Sequence, residues 1–193
     1  RETGKGENIQ ITGGNVTLKT VDDDDIYIGN GQQEAEIDTS KLLGTITKLN
    51  RYDEQVDEIV QYFKIIINGQ SVNSENYNNI LGNGTLCYDI EEKTLKLKEG
   101  QFINGALTIT APEDVSIDLE ANARHVVNGN LTVTGAKDVK VTKLGGGAAA
   151  AIQGKAEISC SGDVILKNLG GNTHDGRNLT SGGLTVHRAK TVT

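Results

Sequence analysis

The sequence predicts an all-β fold, a right-handed single-stranded parallel β-helix (solenoid) with an N-terminal cap or irregular segment. Two observations predict it: two different strand motifs recur at nearly the same interval, and glycine is frequent while large apolar residues are scarce. Glycine accounts for 24 of 193 residues and aromatic residues for 4%. A solenoid tolerates this composition because each repeat buries only a narrow row of aliphatic side chains against its neighbours.

The first motif is a four-residue strand in which apolar and polar residues alternate. Its copies read LTIT, LTVT, AEIS and LTVH and begin at Leu107, Leu131, Ala156 and Leu184. The alternation places the first and third side chains of each copy on one face of the strand. Because the rungs of a coil stack at about 4.8 Å, these side chains form buried columns, and Ile109 is a predicted core residue.

A second motif keeps step with the first. Its copies read DVSI, DVKV and DVIL and begin at Asp114, Asp138 and Asp163, so like residues are expected to stack here too. An antiparallel sandwich or meander is the alternative, since Asn-Gly pairs such as that at Asn104 are also hairpin signals. Two motifs that recur together favour the coil, and the preferred crossover between parallel strands makes it right-handed.

The two halves of the chain differ in regularity, which predicts two domains. Residues 1–58 are expected to form an N-terminal β segment and cap, with the end of a preceding β-helix module as an alternative. Residues 59–193 are expected to form the parallel β-helix module. Apolar residues at helical spacing predict a short helix within residues 51–63, which would cover the first rung. Residues 86–97 predict a β-hairpin.

Charge and hydropathy argue against two classes of partner. The net charge is −7 at neutral pH, whereas nucleic-acid-binding proteins carry basic patches that neutralise phosphates. No apolar run approaches the roughly 20 residues that span a bilayer, so membrane insertion is not expected. The chain starts and ends within strand-like segments, so we expect it to be a piece of a longer protein. Its oligomeric state stays open.

One stretch of the chain is similar to a known family of modules. Its motifs are INGQSV from Ile67, NYNNILGNGT from Asn76, YD from Tyr88, TLKL from Thr94 and LTI from Leu107. They resemble the carbohydrate-binding domain-containing β-helix modules of secreted and cell-surface proteins from anaerobic gut bacteria. The resemblance implies a parallel β-helix with an adhesin-like role outside the cell, and it implies no particular ligand residue.

The aspartates that open the second motif are candidate metal ligands. Stacked carboxylates of Asp114, Asp138 and Asp163, about 5 Å apart, would offer the oxygen ligands that Ca²⁺ prefers. No cofactor is expected except Ca²⁺ under this hypothesis. Such a column resembles the Ca²⁺ site of pectate-lyase-like β-helices. The competing interpretation, which we favour, is that each aspartate opens a strand from a turn and bonds its own backbone.

The third turn of the coil varies most between repeats and carries the candidate ligand-binding residues. Glycines and alanines at residues 145–151 would form a flat floor with few side chains. Its polar walls would be Asn122, Arg124 and His125 on one side and Asn172, His174, Asp175 and Arg177 on the other. Loops on a rigid scaffold often carry function. The alternative is a tight turn that glycine permits, with solvated polar residues above it.

No catalytic constellation accompanies these features, because no nucleophile-elbow sequence lies near the three histidines. We therefore expect a non-enzymatic extracellular or cell-surface module for adhesion or for recognition of a polysaccharide or host-surface glycan. A Ca²⁺-dependent polysaccharide lyase is the best enzymatic alternative. A purely structural stalk or spacer is the third hypothesis.

Overall fold

The structure is a computed structural model that describes residues 9–13, 15–19, 37–42, 45–49, 52–59, 62–170 and 178–193. These residues form β-strands joined by turns and loops, with no helix among them. The chain forms two compact units, Arg1–Phe63 and Lys64–Thr193. Within the described ranges, no helix is long and apolar enough to cross a membrane.

The first unit contains five strands. They are β1 (Ile9–Gly13), β2 (Val16–Lys19), β3 (Ile37–Leu42), β4 (Ile46–Leu49) and β5 (Gln55–Ile59). β1 pairs with β3 and β2 pairs with β4, both in parallel. This is the pairing expected of successive turns of a coil. β5 then pairs antiparallel with β4.

The helix predicted within residues 51–63 is wrong. Part of this segment forms β5, and its end begins β6 (Tyr62–Ile67). The apolar residues of β5 are the β-branched Val56 and Ile59, which favour a strand over a helix. Pairing with β4 supplies the backbone hydrogen bonds that a helix would otherwise have made internally.

The second unit is a solenoid of about four turns, built from two long sheets and a short one. The first long sheet has the order β18 (Leu184–His187), β16 (Ala156–Ser159), β14 (Leu131–Gly135), β11 (Leu107–Ala111), β6 and β7 (Gln70–Asn73). The second has the order β19 (Thr191–Val192), β17 (Asp163–Asn168), β15 (Val139–Lys143), β12 (Ser116–Ala121), β9 (Thr94–Leu97) and β8 (Leu86–Asp89). The short sheet pairs β10 (Ile103–Asn104) with β13 (Val127–Asn128) and continues through bridges at Ile152 and Thr180.

Successive rungs of the second unit pair in parallel, which confirms the predicted parallel β-helix. In the first long sheet Leu107 pairs with Leu131, Leu131 with Ala156, and Ala156 with Leu184. Leu107, Leu131 and Ala156 are fully buried, and so is Ile109. The core therefore consists of stacked columns of aliphatic side chains, as the alternation predicted.

Antiparallel strands cover the edge of the solenoid that precedes its first full rung. β6 pairs antiparallel with β11, and β8 and β9 form the predicted hairpin. Asn68, whose φ is 49°, accepts a hydrogen bond at its Oδ1 from the amide of Thr108 at 2.8 Å. These contacts satisfy backbone groups that an exposed first rung would leave unpaired.

The second long sheet changes register between its first two rungs. Ile117 pairs with Val139, whereas equal motif spacing predicted that Val115 would pair with it. The register differs because the turn from β11 to β12 is longer than the equivalent turn from β14 to β15. From β15 to β17 the predicted register holds, with Val139 paired to Val164.

Candidate functional site

The turn from the second long sheet to the short sheet differs in length from rung to rung. It joins Ala121 to Val127 in one rung and Lys143 to Ile152 in the next. The second of these turns contains the segment GGGAAAA, residues 145–151, which we name the Gly/Ala loop. Its first five residues are exposed or half-buried, so backbone rather than side chain forms this part of the surface.

The Gly/Ala loop lies directly against the turn of the preceding rung. A Cβ atom on Gly145 would lie 2.1 Å from Asn122 Oδ1. A Cβ atom on Gly146 would lie 2.5 Å from the amide nitrogen of Arg124. Gly146 and Gly147 also have φ values of 79° and 82°, in the region that side chains disfavour. Glycine is therefore required here both for close approach and for the direction of the chain.

A buried lysine holds the Gly/Ala loop from inside the solenoid. Lys143 ends β15 and follows Val139 and Val141 at the alternating, inward-pointing positions. It is fully buried, and its Nζ donates hydrogen bonds to the carbonyl oxygens of Gly147 at 2.5 Å and Ala149 at 2.6 Å. Burial lowers the pKa of the Lys143 amine, because desolvation disfavours the charged form.

Two further buried donors, from the neighbouring rungs, bind the same loop. Asn168 pairs with Lys143 in register and donates from Nδ2 to the carbonyl oxygen of Ala149 at 3.1 Å. His125 bonds the carbonyl oxygen of Ala150 through Nδ1 at 2.8 Å. Because a carbonyl oxygen only accepts, this ring nitrogen carries the hydrogen. Three successive rungs thus fix the carbonyl groups of one loop.

The predicted ligand-binding residues fall into three groups. Asn122 and Arg124 are exposed, and both lie against the Gly/Ala loop. His125 is buried, so it supports the loop from inside instead of bordering its surface, and its predicted placement in the wall is wrong. The remaining predicted wall residues, which lie outside the described residues, are Asn172, His174, Asp175 and Arg177.

The predicted column of three aspartates does not form. The register of the second long sheet aligns Ser116 with Asp138, and Asp114 falls in the longer turn before β12. Asp114 instead accepts a hydrogen bond from Lys93 Nζ at 2.6 Å. This bond to Lys93 holds the pKa of the Asp114 carboxyl below its usual value. The partner of Asp114 is therefore a surface lysine.

Asp138 and Asp163 occupy neighbouring rungs, and the side chain of Asp138 bonds the backbone of the turn that contains Asp163. The amide of Asp163 donates to Asp138 Oδ1 at 2.8 Å, so this carboxylate bonds the backbone of the next rung, whereas the turn interpretation predicted a bond to its own backbone. Among the described residues, no group of three histidine, cysteine or acidic side chains is placed to hold a metal ion. Ca²⁺ binding by Asp138 and Asp163 stays a prediction, and no third described histidine, cysteine or acidic side chain joins them.

Sequence reasoning missed Lys143 and Asn168, although a signal for both was present. In β15 and β17 the alternating apolar positions are followed, two residues later, by these polar residues. A strand that keeps its alternation must point them inward. A lysine or an asparagine at the inward end of a strand therefore indicates that a nearby turn supplies acceptors.

Phe102 is a third residue that the sequence reasoning overlooked. It is 40% exposed and precedes Ile103, whose amide donates to the carbonyl oxygen of Val126 at 2.9 Å. Phe102 therefore lies at the same corner of the solenoid as Arg124, one rung earlier. An exposed phenylalanine beside the short sheet was not apparent from the repeat pattern.

Comparisons of the chain with protein families, with curated proteins and with solved structures found no match. The fold places the chain in the class of parallel β-helix proteins, and this architecture by itself assigns no function. The geometry of the third turn is therefore the basis for a functional proposal.

Proposed function

We propose that the chain is a non-enzymatic module of a secreted or cell-surface protein, and that it recognises a polysaccharide or host-surface glycan at the Gly/Ala loop. The observation that carries this proposal is an exposed, side-chain-poor loop fixed from inside by three buried donors. A surface held in this way loses little conformational entropy on binding. The similarity of the motifs from Ile67 to Leu107 to cell-surface modules supports the location.

The residues around the loop offer polar and apolar contacts for a sugar. Asn122 and Arg124 are exposed and carry hydrogen-bond donors that suit hydroxyl or acidic groups. Phe102 is exposed at the same corner and offers an aromatic face against which a sugar ring can pack. Rungs stack about 4.8 Å apart, so the surface from Phe102 to the loop two rungs later is about 10 Å long.

NMR titration of the ¹⁵N-labelled chain with a panel of neutral and acidic oligosaccharides tests the proposal. We expect at least one of these ligands to shift the amide resonances of Gly146, Gly147 and Ala148. Arg124→Gln and Phe102→Ala should each weaken that binding by about tenfold, because buried aromatic and arginine contacts dominate binding energy.

Two matched variants control for general effects of these substitutions. Arg188→Gln changes an exposed arginine on the turn from β18 to β19, at a different corner. Ile66→Ala changes a side chain that is 42% exposed, close to the 40% of Phe102, but on the first long sheet. Both controls should bind like the wild type. Equal loss in the controls, or shifts confined to residues away from the loop, would contradict the proposal.

The two alternative functions give different results with the same samples. A lyase would release unsaturated sugars from polygalacturonate, and the ultraviolet absorbance would rise in the presence of Ca²⁺ and not in EDTA. A stalk would bind no member of the oligosaccharide panel. We expect neither result.

A further inference from the structure

We infer that the Gly/Ala loop binds an oxyanion, the carboxylate or sulfate group of an acidic sugar, through backbone amides that Lys143 orients from behind. This inference rests on the proposed function and specifies the chemical class of the ligand. Lys143 is a positioning residue here, because it acts through the peptide groups and is itself fully buried.

The peptide groups of the loop have a defined direction. Lys143 Nζ binds the carbonyl oxygens of Gly147 and Ala149 from the interior. The described residues contain no cis peptide bond, and in a trans peptide the N–H points opposite to the C=O. The amides of Ala148 and Ala150 belong to these two peptide groups, so they point away from the Lys143 ammonium.

These two amides have no protein acceptor in the part of the chain that the structure describes. The next amide in the loop, that of Ala151, reaches the carbonyl oxygen of Asn178 at 3.3 Å, whereas no such bond is made by Ala148 or Ala150. Ala148 is exposed and Ala150 is almost fully buried. A buried amide normally has an acceptor, and no described residue supplies one to Ala150. We take the missing acceptor to be an oxygen of the ligand.

The charge behind the loop favours an anion in front of it. Among the described residues no carboxylate pairs with Lys143, and the acceptors that its ammonium has there are the carbonyl groups of Gly147 and Ala149. A carbonyl bonded to an ammonium polarises its peptide group and makes the attached N–H a stronger donor. Backbone N–H groups in turns can bind anions.

Arg124 places a second positive group at the same surface. It is exposed, and its backbone lies against Gly146 at the start of the loop. The planar guanidinium of arginine bonds oxyanions such as carboxylate through two parallel N–H groups. Arg124 and the amides of Ala148 and Ala150 therefore supply donors of the kind that an acidic sugar requires.

Three oligosaccharides that differ in charge test the inference: a galacturonic acid oligomer, its methyl ester and a sulfated galactose oligomer. Each is titrated at pH 7 and low salt into the ¹⁵N-labelled chain. The acid or the sulfated probe should shift the Ala148 and Ala150 amide resonances and bind about tenfold more tightly than the ester. The preference between the two charged probes identifies the source of the oxyanion. Added salt should weaken only the charged probes.

Lys143→Met removes the charge behind the loop and keeps a long, unbranched side chain. It should weaken binding of the preferred charged probe at least about fivefold and leave binding of the ester unchanged. A variant that only loosened the loop would weaken both probes equally. Arg124→Gln changes an exposed residue, so we expect folding to tolerate it, and it should show the same selective loss.

The possible outcomes separate this inference from the proposed function. Equal binding of all three probes at the loop would overturn the inference and leave the proposed function intact. A folded Lys143→Met variant that keeps the charge preference would also overturn it. If neither these probes nor any neutral oligosaccharide shifts the loop resonances, both the inference and the proposed function are wrong.

Discussion

The interior of the solenoid differs between the first long sheet and the end of the second. Along the first long sheet, Leu107 and Leu131 stack in an aliphatic column that is fully buried. At the end of the second, Ala121, Lys143 and Asn168 occupy the equivalent inward positions of successive rungs. One column is apolar along its length, and the other changes from a methyl group to an ammonium to an amide.

The two columns make different physical contributions, one to stability and the other to the geometry of the Gly/Ala loop. An aliphatic column contributes cohesion, at about 1.5–3 kcal/mol for each buried side chain. A buried ammonium contributes little net stability because its desolvation is unfavourable, but its directional hydrogen bonds fix the carbonyl groups of the Gly/Ala loop. Stability and loop geometry are thus assigned to different parts of one core, and four predictions test this assignment.

The largest effect is expected from breaking the aliphatic column. Ile109→Ala should lower the free energy of unfolding by about 2–5 kcal/mol, because it leaves a cavity between stacked rungs. Thr110→Ala, on the exposed face of the same strand, should change it by no more than about 0.5 kcal/mol. Urea unfolding of both variants measures the difference. Similar stabilities for the two variants would contradict the inward direction of Ile109.

The next effect concerns the tight turn after β14. A Cβ atom on Gly135 would lie 1.9 Å from the carbonyl oxygen of Ala111 in the preceding rung, whereas one on Gly100 would meet nothing within 4 Å. Both glycines have positive φ, 85° and 73°, so both alanine variants carry similar backbone strain. Thermal or urea unfolding should show Gly135→Ala less stable than Gly100→Ala by about 1–3 kcal/mol. Equal losses would mean that the rungs do not approach closely at this turn.

The burial of Lys143 should make the free energy of unfolding depend on pH. The pKa of Lys143 is lowered in the folded chain from its ordinary value of 10.5. Between the lowered pKa and 10.5 the unfolded state binds more protons, so the free energy of unfolding rises with pH in this window. Below the lowered pKa, both states are protonated and the cost of burying the charge is fully present. Lys143→Met abolishes this contribution.

The comparison with Lys167→Met isolates the buried amine, because Lys167 lies on β17 with an exposed side chain. Urea unfolding between pH 7 and 11 should show wild type gaining stability relative to Lys143→Met as the pH rises. Wild type and Lys167→Met should change together. If the Lys143→Met difference stays constant across this range, the amine is not desolvated in the folded chain.

The smallest effect is expected at the longer turn before β12. Lys93 and Asp114 form an ion pair whose side chains are 49% and 60% exposed, and solvent screens such pairs. A double-mutant cycle with Lys93→Met and Asp114→Asn should give a coupling of about 0.2–1 kcal/mol at pH 7. The coupling should vanish as the pH falls through the lowered pKa of Asp114. Ca²⁺ that stabilises wild type but not Asp114→Asn would instead support a metal ligand.

The amino-acid sequence was sufficient to predict the period of the coil, the strands of the first long sheet and the burial of residues such as Ile109. These features follow from local alternation, which acts over a few residues and is readable at each copy of the motif. The register of the second long sheet became visible only in the folded chain, because the turn at Asp114 is longer than the equivalent turn of the next rung. The bonds from Lys143 to the Gly/Ala loop also became visible only there. This contact requires donors from three rungs and the carbonyl groups of the loop to lie at one corner of the solenoid. The spacing of residues within a single strand carries no information about contacts between rungs.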